Sequence, residues 1–590
     1  MEGMKLTNKP SVDRAWMKYF PEEVKYLQAP KCSLFEYMMG CCPGMDVVAM
    51  TYYGTDITWA DMMGQVEPIA KSLRALGFGE GDQIPVFFRS VPEFYPLLFA
   101  AEKIGASLLC RDNTLEENVE AVAKSGSKII FAHDFLQQYE LDAFVRDAGV
   151  EKAILLSPYH LAVKDEMPDY VHNYIRDQYK GPSANSSEVI SWDAFVELGK
   201  DFTGVVDAPA DCTRPLYRAY TSGSTGPSKQ VIHSAENMTG VLCQMTSYSM
   251  GPDGKRLTWM LQNLPTALVA VVVSMTLLPI ASNIHLYLNP FADVYDLDLE
   301  LMRLKPNCIP LIPMFMEVMM TSERIPEDFD MSFYYSGGVG AEWFSNSQSY
   351  RAQEFLRKHN SIANCTVGYG QTEAGGNCTI PACLADYPLM TDGNVGVPLP
   401  LATMGIFKPG TSEELGYNQL GEVCKCGPGT MLGYDSAEAT AEVLKVHDDG
   451  KLWLHTGDLG YVNEDGVFFV LNRGANERYG GGILAGLIME NRIADARIEG
   501  IKDQFFAIPQ DEAHPGYYLP YMFVVLEEGY TVEDIRGAVD AALEPYQRPV
   551  EIRVIESRPF FHFKTNRRGL AMQIHAEKLA KAQKKSAAAR

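Results

Sequence analysis

"YTSGSTGPSKQVIHS", Tyr220 to Ser234, places five serines and threonines, two glycines and a proline directly ahead of a lysine. Glycines let a backbone approach a ligand closely, and successive N–H groups in such a turn form a nest for anions. Thr221, Ser222, Ser224 and Thr225 add hydroxyl donors around Gly223 and Gly226, and Lys229 adds a mobile positive charge. The set suits a polyphosphate. On this segment alone the plain alternative is a Gly/Ser surface turn that binds nothing.

One nucleotide-loop pattern can be set aside at once. The spacing G-x-x-x-x-G-K-[ST] needs Gly before the lysine and Ser or Thr after it. Ser228 and Gln230 stand there instead.

On the N-terminal side, "DITWADMMGQVEPIAKSLRALGFGEGD" (56–82) opens with Thr58 three residues before Asp61, a capping-box start. Val66, Ile69, Leu73 and Leu76 recur at helical spacing, Gly77 stands where a C-terminal cap belongs, and Pro68 should kink or shorten the helix. "QIPVFF" (83–88) then reads as a strand, 91–109 as a helix, and "KIIFA" (128–132) and "KAILL" (152–156) as strands. Strands alternating with helices predict a mainly parallel sheet covered on both faces. The polar stretch 165–188 reads as a surface excursion. "ALVAVVVSMTLLPIASNIHLYL" (267–288) approaches the length of a membrane span, but Ser274, Pro279 and Asn283 interrupt it, so it reads as a buried helix and then a buried strand.

Beyond Asn472–Arg473, "YMFVVLEEGY" (521–530), the helix-like 531–546 and "VEIRVIES" (550–557) suggest a separate α+β unit. The 590 residues exceed what one core supports. We therefore expect an α/β protein: a large N-terminal domain, 1–472, of layered, mainly parallel sheets with flanking helices, and a small C-terminal α+β domain, 473–590. A net charge of -24 argues against a nucleic-acid surface or adsorption to anionic membranes. The basic tail 575–590 reads as a solvated helix. The twelve cysteines show no disulfide framework, and the Cys-x-Cys at 424–426 lacks a partner pair or a His cluster at ligand spacing, so no structural metal is expected. The start carries no apolar signal core, and a cytoplasmic location is expected.

Four segments resemble one family. "TSGSTGPSK" (221–229) is similar to the phosphate loop of the adenylate-forming superfamily (acyl-CoA synthetases, adenylation domains, luciferases), with Ser228 in place of the usual proline. "YYSGGVGAE" (334–342), "VGYGQTEAGG" (367–376) and "HTGDLGYVNEDGVFFVLNR" (455–473) follow in that family's order. The resemblance implies ATP held by residues 221–226 and Lys229, with Thr372 on the α-phosphate and Glu373 holding Mg²⁺. It puts Gly337, Gly338 and Tyr369 along the nucleotide, Asp458 on the ribose hydroxyls, and Arg473 beside the ribose. It also implies a cation from the small domain where charge builds in the reaction. "RPFFHFKTNRRGL" (558–570) offers Lys564 with Arg567 in the family's Lys-x-x-Arg spacing, although Phe563 replaces the glycine and the family's threonine is missing.

The implied reaction is ATP-dependent activation of a carboxylic acid to an acyl-adenylate with pyrophosphate release, then transfer to the thiol of coenzyme A. "LQNLPTALVAVVVSM" (261–275) lacks the acid that would pair with an amino-acid ammonium group, so a free amino acid is disfavoured. Thr266, Ala267, Val339 and Gly370 would wall a pocket for a hydrophobic or aromatic acid. Ala475 stands where the family's hinge has Asp or Lys, and 480–482 are glycines. Two alternatives stay open: a stand-alone adenylation enzyme that loads a carrier-protein phosphopantetheine in trans, and a non-catalytic nucleotide-binding relative.

Overall fold

The computed structural model describes residues 6–179, 183–221, 228–245, 254–381, 389–474, 476–561 and 564–588. Three sheets and a smaller C-terminal one carry the chain.

The first sheet has 8 strands, in the order Gly433–Tyr434, Gln230–Ser234, Pro215–Tyr220, Ser107–Cys110, Gln83–Phe87, Ile129–His133, Lys152–Leu156 and Val189–Ser191. From Pro215–Tyr220 to Val189–Ser191 every pairing is parallel. The periodic segments form as their residues dictate. Thr58 and Asp61 close a reciprocal capping box, after which Trp59–Gly64 and Val66–Ala75 form two helices. They meet at Gln65, three residues before Pro68, which occupies the first turn of the second helix, where its missing N–H costs little.

The second sheet runs Thr258–Gln262, His285–Asn289, Val48–Tyr52, Thr55–Thr58. Parallel bridges at Cys308 and Leu311 extend it from Trp259 to Gly337–Val339, which pairs in parallel with Cys365–Val367. The apolar run 267–288 is a buried helical segment, Val269–Ala281 with one wide turn at Val273–Leu277, followed by the strand His285–Asn289. Among the described residues no helix is long and apolar enough to cross a membrane.

The third sheet departs from the mainly parallel expectation. It orders Thr379–Ile380, Asn394–Pro398, Phe468–Arg473, Leu452–Val462, Gly421–Cys426 and Thr403–Phe407, and every pairing is antiparallel. A short turn, 463–467, joins Leu452–Val462 to Phe468–Arg473, and antiparallel neighbours need no crossover helix. The polar stretch 165–188 also differs from a plain surface loop. Its helix Asp169–Gln178 buries Val171 and Ile175, one helical turn apart, against the main core.

After Arg473 a sheet of Ile501–Ala507, Tyr521–Leu526 and Glu551–Val554 gathers its own apolar cluster, which includes Met489, Ile493, Met522 and Val539. A short hairpin, Phe560–Phe561 with Lys564–Thr565, leads into the helix Arg567–Ala588.

Candidate active site

The site lies where the parallel strands of the second sheet end, the usual place for a ligand in open α/β sheets. Gly337–Val339 and Cys365–Val367 deliver Gly340 and the turn from Gly368 at that edge, linked by a bond from the Gly368 N–H to the Val339 carbonyl (2.9 Å). Gly370 lies so close to the backbone of Gly376 that a Cβ would stand 1.8 Å from the Gly376 carbonyl oxygen. Gly376, at φ +104°, lies in turn against Ala270. The Gly-Gln-Thr-Glu-Ala-Gly-Gly turn is thus folded on itself, and only glycine fits at 370.

Three sheets contribute side chains to this edge. From the third, Asp458 is buried and accepts a hydrogen bond from the Tyr369 hydroxyl (2.7 Å). It pairs with Arg473 across the register of Leu452–Val462 and Phe468–Arg473, with 3.4 Å between the charged groups. Burial pushes the Asp458 carboxyl up, opposed by Arg473 and the Tyr369 bond. Arg473 in turn lies in the fields of Asp458, Tyr369, Glu373 and Tyr434 and is pushed up, by Asp458 most.

From the first sheet, the base of the 221–229 loop is closed by the Thr221 N–H on the Lys229 carbonyl (2.9 Å) and by the Lys229 N–H on the Thr221 hydroxyl (3.0 Å). Ser222, Gly223, Ser224, Thr225 and Gly226 lie outside the described residues, as does Ala475. The ammonium of Lys229 is 4.9 Å from the centre of the Tyr434 ring and 3.8 Å from Glu442. The Tyr434 hydroxyl donates to Glu373 (2.7 Å), which is buried. His233 lies on the strand after Lys229, and its Nε2 bonds the Thr372 carbonyl at 2.7 Å, fastening the loop's strand to the Thr372–Glu373 turn.

Lys564 comes from the C-terminal hairpin. Burial pushes its ammonium below the ordinary lysine range; Glu342 and Asp458 oppose that shift and Arg473 adds to it. Lys564, Asp458, Arg473, Tyr369, Tyr434 and Glu373 therefore form one connected electrostatic cluster.

The proposed acyl walls sit differently. Thr266 is fully buried; its hydroxyl donates to the Phe88 carbonyl (2.7 Å) and its carbonyl accepts from Tyr217, so it has no group to offer a ligand. Val339 is buried in the core, and Gly338 and Ala267 are half-buried. Gly337 is buried with Tyr334 against it.

Sequence reading missed Tyr434, His233 and Glu342. No spacing pattern marks the first two. Glu342 ends a segment already singled out, but nothing in the sequence says where its carboxylate goes. The Cys-x-Cys stretch is also richer than its spacing suggested. Donor atoms of Glu422, Cys424 and His455 all lie within 4.8 Å of one another. His455 Nδ1 bonds Glu422 (2.9 Å) and its Nε2 faces His447 Nε2 (2.9 Å), so hydrogen bonds already knit this set together.

The profile of the family described as AMP-binding enzyme matches residues 43–435. The chain belongs to that family. Among curated relatives, it is 27% identical over 416 residues to "Probable 4-coumarate--CoA ligase 1" of Dictyostelium discoideum, covering 69% of this chain and 70% of that protein. It is 26% identical over 516 residues to "4-coumarate--CoA ligase 3" of Arabidopsis thaliana, covering 83% and 82%. Among solved structures, ATP-bound MatB from Rhodopseudomonas palustris superposes with a TM-score of 0.73 at 19% identity, covering 92% of this chain and 99% of that one. The anthranilate CoA ligase AuaEII in complex with anthranoyl-AMP gives 0.73 at 14%, covering 95% and 99%. At such identities these structures speak for the fold.

Proposed function

We propose that this enzyme is an AMP-forming carboxylate–CoA ligase that activates an uncharged hydrophobic or aromatic acid. The observation that carries the reading is the convergence of Asp458, Tyr369, Arg473, Glu373 and Lys564 from distant parts of the chain in one cluster, joined through Tyr434 to Lys229 at the loop base. The relatives' names support the same reaction class.

In this reading Asp458 accepts hydrogen bonds from the ribose hydroxyls, with Tyr369 and Arg473 holding its carboxylate in place. Residues 221–226 and Lys229 take the outer phosphates, and the Thr372 hydroxyl meets the α-phosphate. Glu373 would hold Mg²⁺, a fit with that ion's preference for few carboxylates alongside phosphate oxygens and water. When bound, the ion offsets phosphate charge. The substrate carboxylate is already a nucleophile, so the protein's work is positioning and charge neutralisation. Lys564 supplies the cation between the acid, the α-phosphate and the leaving pyrophosphate. The units 1–472 and 473–590 then move relative to each other so that a thiol can reach the acyl-adenylate. The apolar side chains of Ala267, Ala270 and Val339 favour an uncharged acyl group.

The test is a screen of pyrophosphate release against a library of carboxylic acids, with AMP and acyl-CoA followed by mass spectrometry. Acid-dependent AMP plus acyl-CoA is expected. Adenylate without acyl-CoA, but with an acylated carrier protein, would move the acceptor to a carrier in trans. ATP binding with no acid-dependent pyrophosphate release across the library would make the chain a non-catalytic relative.

A further inference from the structure

The hairpin that presents Lys564 is not held by its own unit alone. Glu342, just past the Gly337–Val339 strand, reaches the hairpin from the large unit. Both of its oxygens lie 3.1 Å from the Thr565 N–H, and one lies 2.5 Å from the Arg567 guanidinium. Its carboxylate therefore ties the end of the hairpin strand to the first residue of the helix Arg567–Ala588 through that residue's side chain. Arg567 lies over the Trp343 ring (4.5 Å) and uses its other edge on Glu490 of the C-terminal unit (2.8 and 3.0 Å). Glu490 is fixed by the Phe506 N–H (3.2 Å). A second observation concerns the backbone. Ala341, directly before Glu342, sits at φ +68°, a left-handed conformation that costs a non-glycine residue energy and is held only where the surroundings impose it. That twist aims Glu342 at the hairpin.

We propose that Glu342 is a positioning residue for adenylation: it docks the Lys564 hairpin through the Thr565 N–H and Arg567, and its release frees the hairpin to leave. The proposal rests on the function proposed above. Arg567 keeps Glu490 when the units part, while Glu342 regains water, so undocking leaves no charge stranded in an apolar core. Such an interface bond is strong enough to bias a position and weak enough to reverse.

The test is Glu342→Gln in the full chain, alone and combined with Lys564→Ala. Charge-assisted bonds of this kind are worth about tenfold to a hundredfold. We expect acid-dependent pyrophosphate exchange to lose that much in kcat, while KM for ATP stays within about twofold. Because Glu342 acts through Lys564, the double variant should be no slower than Lys564→Ala. Independently of turnover, amide-hydrogen exchange over 564–570 should quicken in Glu342→Gln. Additive losses in the double variant, a kcat unchanged by Glu342→Gln, or unaltered amide protection would each overturn the proposal. Were no acid to support pyrophosphate exchange in the wild type, the function would fail separately, and amide protection alone would still decide the docking.

Discussion

In the proposed reaction Lys564 acts as a cation in a place that disfavours one. Burial lowers its affinity for a proton, so adenylation, which needs the charged form, should decline as pH rises through a value below that of an exposed lysine. Lys564→Arg should push that alkaline limb upward, since guanidinium stays charged. Lys564→Ala should cut pyrophosphate exchange by at least ~10²-fold with little change in ATP affinity; near-normal exchange would mean another cation does this work. Asp458 should divide the other way. Its removal strips the partner from Tyr369 and Arg473 and the acceptor from the ribose, so Asp458→Ala should weaken ATP binding by about tenfold to a hundredfold in calorimetric titration. Asp458 and Lys564 were legible because short motifs carry them. Tyr434 was not: it stands 61 residues from Glu373, and only strand pairing with Gln230–Ser234 brings it there.

Between elements, the informative bond is the one from His233 to the Thr372 carbonyl, which joins the first sheet to the Glu373 turn. Burial pushes the His233 imidazole down to about 4, from an ordinary value of 6.5. The unfolded chain therefore binds a proton that the folded chain refuses between these values. Stability from this group is fully present above pH 6.5 and is lost as pH falls toward 4. His233→Gln places an amide donor near the Nε2 position without a titrating group, so its melting temperature should fall less steeply over that window. An identical slope would remove His233 from the account. The glycine turn makes a steric prediction. Gly370→Ala puts a methyl 1.8 Å from a backbone oxygen and should cost ~2 kcal/mol or more, read as a lowered unfolding midpoint. At this scale the parallel first sheet was legible, because buried strands and amphipathic helices alternate with distinct periods. The antiparallel third sheet was not, since its strands are buried on both faces and mix apolar with polar residues, which gives no alternation and no direction. The helix Asp169–Gln178 escaped notice because only Val171 and Ile175 are aliphatic in it, with Tyr170 and Tyr174 beside them among polar neighbours.

At the scale of the whole molecule, two apolar cores meet across a mixed seam, where Ala485, Ile488 and Phe560 pack on the main cluster beside a set of polar contacts. The main cluster takes in the three large sheets, while Met489, Met522 and Val539 belong to another beyond Arg473. Between them run hydrogen bonds and ion pairs: Asn346 N–H to Asn491 (2.9 Å), Arg567 to Glu342, and Asn472 to the carbonyls of Gly474 and Leu484. The polar contacts re-solvate when the seam opens, while the few apolar ones favour the closed arrangement. The connection itself is short. Gly474 at φ +75° donates to the Gly457 carbonyl (2.8 Å), and Gly481 and Gly482 pack on Tyr546. We expect the rotation proposed above to be taken up close to Gly474. Limited trypsin digestion should cut first at Arg473 or Arg478 and leave two fragments that each resist further cleavage. ATP with a non-reactive acid analogue holds Lys564 and Asp458 to one ligand and should slow that cut severalfold. First cleavage deep within either unit, or a rate indifferent to nucleotide, would place the moving joint elsewhere.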